Sequence, residues 1–150
     1  MNKNRKGFTL IELLVVIGII GLLSTLAVVA LGSARQKARD SKRLSDMKQI
    51  QTALELYFTD NNAYPASDSD GFVLGIDATC LNGNGLESGS GCTGTSSIYM
   101  ALIPKDPQYP TLTYIYTSSG TTNYLIAAEL EGSVNDLGPG VINATPNGIQ

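Results

Sequence analysis

Residues 6–31 read KGFTLIELLVVIGIIGLLSTLAVVAL, and one residue in that run contradicts the rest: Glu12. From Leu13 to Leu31 there are 19 residues without a charge. At 1.5 Å rise per residue they make roughly 28 Å of helix, about the thickness of a bilayer's hydrocarbon core. An ionised side chain placed in a membrane costs at least ~2.5–3.5 kcal/mol, less near an interface. Glu12 therefore needs a partner, unless it snorkels to the head groups or takes up a proton in a lone membrane anchor. Ahead of the run stand Lys3, Arg5 and Lys6, then Gly7. That short basic leader places the N-terminus in the cytoplasm, because positive charge stays on that side. The run ends at Leu31-Gly32-Ser33-Ala34, whose small residues admit a signal-peptidase cut. The run is, however, longer than an ordinary signal core and passes directly into a helical pattern.

Ala34, Ala38, Leu44, Met47, Ile50, Leu54, Tyr57 and Phe58 mostly recur at spacings of three and four, which predicts one apolar stripe on an amphipathic helix. No proline precedes Pro65, and Asp60-Asn61-Asn62 supplies turn chemistry just before it. The spacing thus predicts a helix from Phe8 to about Thr59, roughly 75–80 Å long. Its first half suits a membrane or a bundle of like helices. Its second half suits packing under a sheet.

Charge divides sharply along the chain. Residues 1–48 carry +6 and residues 49–150 carry −9, giving the net −3. Arg35, Lys37, Arg39, Lys42, Arg43 and Lys48 cluster just past the apolar run. The plain reading is a solvated helix face. The cluster is also placed to touch anionic head groups or an acidic neighbouring domain. No aromatic residues interleave with it, so nucleic-acid binding is not indicated. The chain has no histidine, and no serine elbow, phosphate-binding glycine loop or spaced carboxylate pair replaces one. Composition therefore argues against an enzyme.

Residues 66–97, rich in Ser, Asp, Gly, Asn and Thr, read as loop, with room for a short strand at Gly71-Phe72-Val73-Leu74. Beyond them, Leu112, Tyr114 and Tyr116 alternate with Thr113, Ile115 and Thr117, predicting a strand with two distinct faces. Ser118-Ser119-Gly120-Thr121-Thr122 is a turn, residues 123–130 form the second strand of a hairpin, and a third strand follows near Val141-Ile142.

The order Lys6-Gly7-Phe8-Thr9-Leu10-Ile11-Glu12-Leu13-Leu14-Val15-Val16-Ile17 resembles the N-terminal signature of type IV pilins and type II secretion pseudopilins. Two further segments are similar to pseudopilins: a helix closing at Tyr64-Pro65, and the turn Leu102-Ile103-Pro104-Lys105-Asp106-Pro107 before the strands. The resemblance implies cleavage between Gly7 and Phe8 by a prepilin peptidase, which also methylates the new amine of Phe8. It implies that Glu12 pairs with the terminal amine of a neighbouring subunit, each charge offsetting the other's burial. The implied partners are copies of the chain itself in a helical homopolymer, the peptidase, the membrane, and an inner-membrane assembly platform with its ATPase. Nucleic acid enters only if the chain is a competence pilin. One departure stands out: Val29 and Ala30 occupy the place where many members carry a proline, leaving Gly18, Gly21 and Gly32 as the weak points of the helix.

The implied fold class is α+β, pilin-like: a long N-terminal helix, transmembrane in its first half and amphipathic in its second, packed on a small antiparallel sheet. The implied organisation is a leader over 1–7, a transmembrane or filament-core helix over 8–32, an amphipathic helix over 33–60 and a head over 61–150. The implied location is the cytoplasmic membrane, crossed once, and then an extracytoplasmic filament. In such an exported head, Cys80 and Cys92 read as a disulfide, two free thiols being the alternative. Some pseudopilins order a late loop with calcium. The matching region runs from Glu129 to Gly140, with Asp136 as candidate ligand and a plain turn as the other reading. Asn143-Ala144-Thr145 matches a glycosylation acceptor, but Pro146 follows it. The other function classes are a minor tip pilin that binds DNA or a surface, and a lone membrane-anchored binding module.

Overall fold

The computed structural model describes residues 7–89, 92, 97–118 and 121–150. Among the described residues, one helix, α1 (Leu10–Asn61), precedes eight short strands: β1 (Phe72–Val73), β2 (Cys80–Asn82), β3 (Gly85–Glu87), β4 (Ile98–Met100), β5 (Ile115–Ser118), β6 (Tyr124–Leu130), β7 (Gly140–Thr145) and β8 (Gly148–Ile149). The chain divides into two compact units, Met1–Gln36 and Lys37–Gln150. The arrangement is α+β, with all strand pairing in the two sheets antiparallel.

In the first unit, the described side chains from Gly7 to Arg35 are all exposed. An 18-residue window there reaches a mean hydropathy of 2.8 with none of it buried within the chain. A helix with apolar residues all round that meets nothing of its own must be covered by lipid or by other helices.

In the second unit, α1 buries Leu44, Met47, Ile50, Ala53, Leu54 and Tyr57 against a five-stranded sheet of order β1-β5-β6-β7-β8. Strand β6 sets the pattern. Tyr124, Ile126, Ala128 and Leu130 are buried, while Leu125 and Glu129 are exposed, as a period of two requires. Tyr114 and Tyr116 face the helix and are fully buried, and Ile115 faces outward. The alternation read over residues 112–117 thus has the right faces, but the strand begins at Ile115, not Leu112. At the predicted turn, Ser118 belongs to β5, Thr121 and Thr122 bend, and Ser119 and Gly120 lie outside the described residues. Ala34 and Ala38 are exposed, so the buried stripe starts later than expected, at Asp40.

The helix ends at Asn61, and Asn62 takes φ 53°, the left-handed residue that closes many helices. Its N–H donates to the Phe58 carbonyl at 2.8 Å. Tyr64 then packs tilted against Phe58 and edge-on to Tyr124, with ring centroids 4.7 and 4.6 Å away. The Tyr116 hydroxyl donates to the Pro65 carbonyl at 2.7 Å. Tyr64-Pro65 is therefore the hinge between helix and sheet, and both residues are buried.

Residues 66–97 are not simply loop. β2 and β3 form a hairpin across Gly83-Asn84, and β4 adds to the other edge of β2 to give a three-stranded sheet, β3-β2-β4. Leu81 and Asn82 are buried in it, and Tyr99 of β4 packs edge-on to Tyr57 at 5.5 Å. Cys80 and Cys92 are bonded, S–S 2.05 Å.

Candidate functional site at the helix start

Gly7 and Phe8 precede the helix in an unpaired stretch, and Phe8 is 85% exposed. A side chain added at Gly7 would meet nothing within 4 Å, so nothing in the fold itself requires glycine there. Thr9 and Glu12 form a reciprocal cap. The Thr9 N–H donates to Glu12 Oε2 at 2.8 Å, the Thr9 hydroxyl donates to the same oxygen at 2.7 Å, and the Glu12 N–H donates to Thr9 Oγ1 at 3.3 Å. This is the Thr-x-x-Glu capping box, which satisfies helix-end N–H groups that have no other partner. The Glu12 charge also lies in the first turn, where the helix dipole favours an anion. The chain thus offers Glu12 partial compensation from within. Oε1 has no hydrogen bond among the described residues, so one face of the carboxylate stays available to a cation from outside.

A second polar cluster lies in the other unit. Arg43 is fully buried, and each of its five N–H donors is used. Nε and Nη2 grip Asp106 at 2.8 and 3.0 Å, Nη1 reaches Asp40 at 2.7 Å and Glu131 at 2.8 Å, and Nη2 also meets Gln108 at 2.9 Å. Arg39 holds Glu131 through two further hydrogen bonds of 2.7 and 2.6 Å. Asp40 in turn accepts the N–H groups of Glu131 and Gly132. Burial opposes the Arg43 charge, but the hydrogen bonds it donates to Asp106, Glu131 and Asp40 outweigh that, and its pKa lies above the arginine norm. Hydrogen bonding from Arg39, then from Arg43, holds Glu131 at about 2 despite partial burial. Burial raises Asp46, against the hydrogen bond from the Tyr114 hydroxyl.

This cluster corrects the reading of the basic segment as one solvated face. Arg39 and Arg43 turn inward because Asp40, Asp106 and Glu131 meet them, while Arg35, Lys37, Lys42 and Lys48 remain exposed. Periodicity alone assigned Asp40, Arg43 and Asp46 no role. Their signal lay in spacing: they fall on the same face as Met47 and Ile50, three and four residues apart.

The leader charges Lys3, Arg5 and Lys6 lie outside the described residues. Asp136 is exposed, with φ 67°, in a tight turn closed by reciprocal hydrogen bonds between Val134 and Leu137. Among the described residues, no three His, Cys, Asp or Glu side chains gather as a metal site, and Asp136 has no acidic companion of that kind.

A capped acid in the first turn of an uncovered apolar helix, followed in the chain by a helix-on-sheet head, defines a class of protein with a prepilin-like N-terminus. Residues 2–32 match the family model described as a prokaryotic N-terminal methylation motif. The chain is 34% identical over 109 residues to the type II secretion system core protein G of Vibrio cholerae, covering 71% of this chain and 69% of that protein. It is 42% identical over 79 residues to core protein G of Aeromonas hydrophila, covering 52% of each. It is 38% identical over 80 residues to the type IV wide pilus major component PilA4 of Thermus thermophilus, covering 53% of this chain and 61% of that one. The chain thus spans about half the length of the Aeromonas relative. No solved structure matches it. The chain belongs to the type IV pilin and type II secretion pseudopilin superfamily.

Proposed function

We propose that this chain is a filament subunit, a type II secretion pseudopilin of the core G kind, polymerised through α1. Lys3, Arg5 and Lys6 hold the leader in the cytoplasm, and cleavage falls between Gly7 and Phe8. The leader would be residues 1–7, the filament-core helix 8–32, its amphipathic continuation 33–60 and the head 61–150. Phe8 becomes the methylated terminus, and Glu12 pairs with that amine on a neighbouring copy. The membrane-inserted subunit then passes into an extracytoplasmic filament by way of an assembly platform. Exchanging lipid for like helices is nearly neutral in hydrophobic free energy, so polar contacts decide register.

The observation that carries this reading is the Glu12 carboxylate, one oxygen capped by Thr9 and the other unpartnered among the described residues, at the head of a helix that buries none of its apolar window. The test is Glu12→Ala in the native host. The variant should be processed like wild type and yield no polymer; filaments at normal yield would remove Glu12 from assembly. The likeness to a wide-pilus major component supports a second reading, a type IV pilus subunit. Loss of protein secretion on deletion supports the first reading, and loss of surface pili with secretion intact supports the second.

A further inference from the structure

The resemblance to pseudopilins implies a calcium ion in the late loop, residues 129–140, and the side chains there do not fit one. Calcium takes about six to eight oxygens, commonly from several carboxylates. Glu129, Glu131 and Asp136 are the acids of the segment. Glu129 is exposed in β6, opposite Val141 of β7, on the sheet face that turns away from the core. Both oxygens of Glu131 are taken. Oε1 accepts from Arg39 Nε at 2.7 Å and Arg43 Nη1 at 2.8 Å, and Oε2 from Arg39 Nη2 at 2.6 Å. A divalent cation could reach that carboxylate only by displacing two guanidinium groups, whose like charge opposes its approach. Asp136 is left, exposed and without a hydrogen bond or ion pair among the described residues. Its place has a backbone reason. Asn135 and Asp136 take φ 49° and 67°, the two left-handed residues of a type I′ turn, which Asn and Asp tolerate.

The chain's own groups hold this loop. Leu130 of β6 faces Gly140 of β7, so the loop closes on paired residues. At its start, the buried Asp40 of α1 accepts the Glu131 N–H at 3.0 Å and the Gly132 N–H at 2.9 Å. Arg43 fixes Asp40 in turn, at 2.7 Å. In the middle, Val134 and Leu137 exchange hydrogen bonds of 2.9 and 3.0 Å and pack against the core. Arg39 and Arg43 bring positive charge and directed donors to the carboxylates, as a metal ion would bring charge and directed bonds. Unlike an ion, they are tethered to α1 and cannot be chelated away.

We infer that the loop from Glu131 to Gly140 is ordered by a clamp of Arg39, Arg43 and Asp40 on Glu131 and Gly132, in place of a divalent cation, so that the head keeps its form whatever the calcium level outside. The clamp lies within the head and does not depend on polymerisation. The test is amide exchange over residues 131–137 of the full chain in detergent micelles, with CaCl2 or with EGTA. At about 10 mM CaCl2, a site with the ~10⁻⁴ M affinity of extracellular calcium modules would slow exchange about 100-fold. The clamp predicts rates equal within about twofold in the two buffers, and a larger slowing by calcium overturns it. Arg39 is only half-buried, so Arg39→Gln leaves the core intact. That variant should exchange the Glu131 and Gly132 amides roughly tenfold faster in both buffers, and wild-type rates there would overturn the clamp as well. Asp136→Asn retains a side chain that accepts positive φ and should exchange like wild type in both buffers. Faster exchange of Asp136→Asn than of wild type in CaCl2, with equal rates in EGTA, would assign the loop to calcium and overturn the inference.

Discussion

At the scale of single residues, two charged side chains do opposite things with the same chemistry. Glu12 keeps one oxygen unpartnered among the described residues, whereas Arg43 uses every donor it has inside its own head. Breaking a buried ion cluster by removing one member leaves uncompensated charge. Arg43→Ala would strand Asp40 and Asp106, both buried, and should cost about 3–5 kcal/mol, read as a fall in the urea midpoint. An unchanged midpoint would mean that the cluster does not hold the head. At Gly7 the described fold imposes nothing, and on the proposed reading the demand for glycine comes from a processing enzyme. Gly7→Val should therefore leave the head's stability unchanged and block maturation, seen as a persistent larger band on a gel. Glu12 was conspicuous in the sequence because it interrupts an apolar run. Its cap by Thr9 was equally legible as Thr-x-x-Glu, and the pull of the charge anomaly obscured it. Arg43 was hidden because its carboxylate partners Asp106 and Glu131 lie 63 and 88 residues away, beyond any local pattern.

At the scale of elements, the helix and the main hairpin were legible because burial on one face writes a period into the sequence. The second sheet was not, since its strands are three residues each, too short for an alternation of period two to repeat. Its one signal was Gly83-Asn84, two turn residues between Cys80-Leu81-Asn82 and Gly85-Leu86-Glu87. The Cys80–Cys92 bond ties this sheet, and closing a loop of separation 12 contributes roughly 3 kcal/mol on the chain-entropy model. Replacing both cysteines by serine should speed amide exchange in β2 and β3 while β6 and β7 stay protected. Uniform protection would show the bond to be dispensable. Acid acts on the other end of the head. A carboxylate with a folded pKa below its unfolded value stabilises at pH above the unfolded value and loses that contribution as pH falls through the folded one. Glu131, moved from 4.5 to about 2, should therefore release the Arg39–Arg43 clamp between those values. Asp46, raised by burial, works in the opposite sense, its contribution present in acid and lost as pH rises. The urea midpoint should fall below pH 4.5 in wild type and be flatter there in Glu131→Gln. Equal slopes would contradict the clamp.

At the scale of the whole molecule, the chain joins an apolar helical unit with no internal cover to a head that has its own core. The first has no cover of its own, so it needs lipid or other helices around it. On the proposed reading, the step that converts one state into the other is the exposure of a terminal nitrogen at Phe8, which would supply a cation for the open oxygen of Glu12. Mass spectrometry of the N-terminal peptide from filaments purified from the native host tests this most directly. The account predicts a peptide that begins at Phe8 with a methylated amine. Filaments whose subunits still carry residues 1–7 would contradict it.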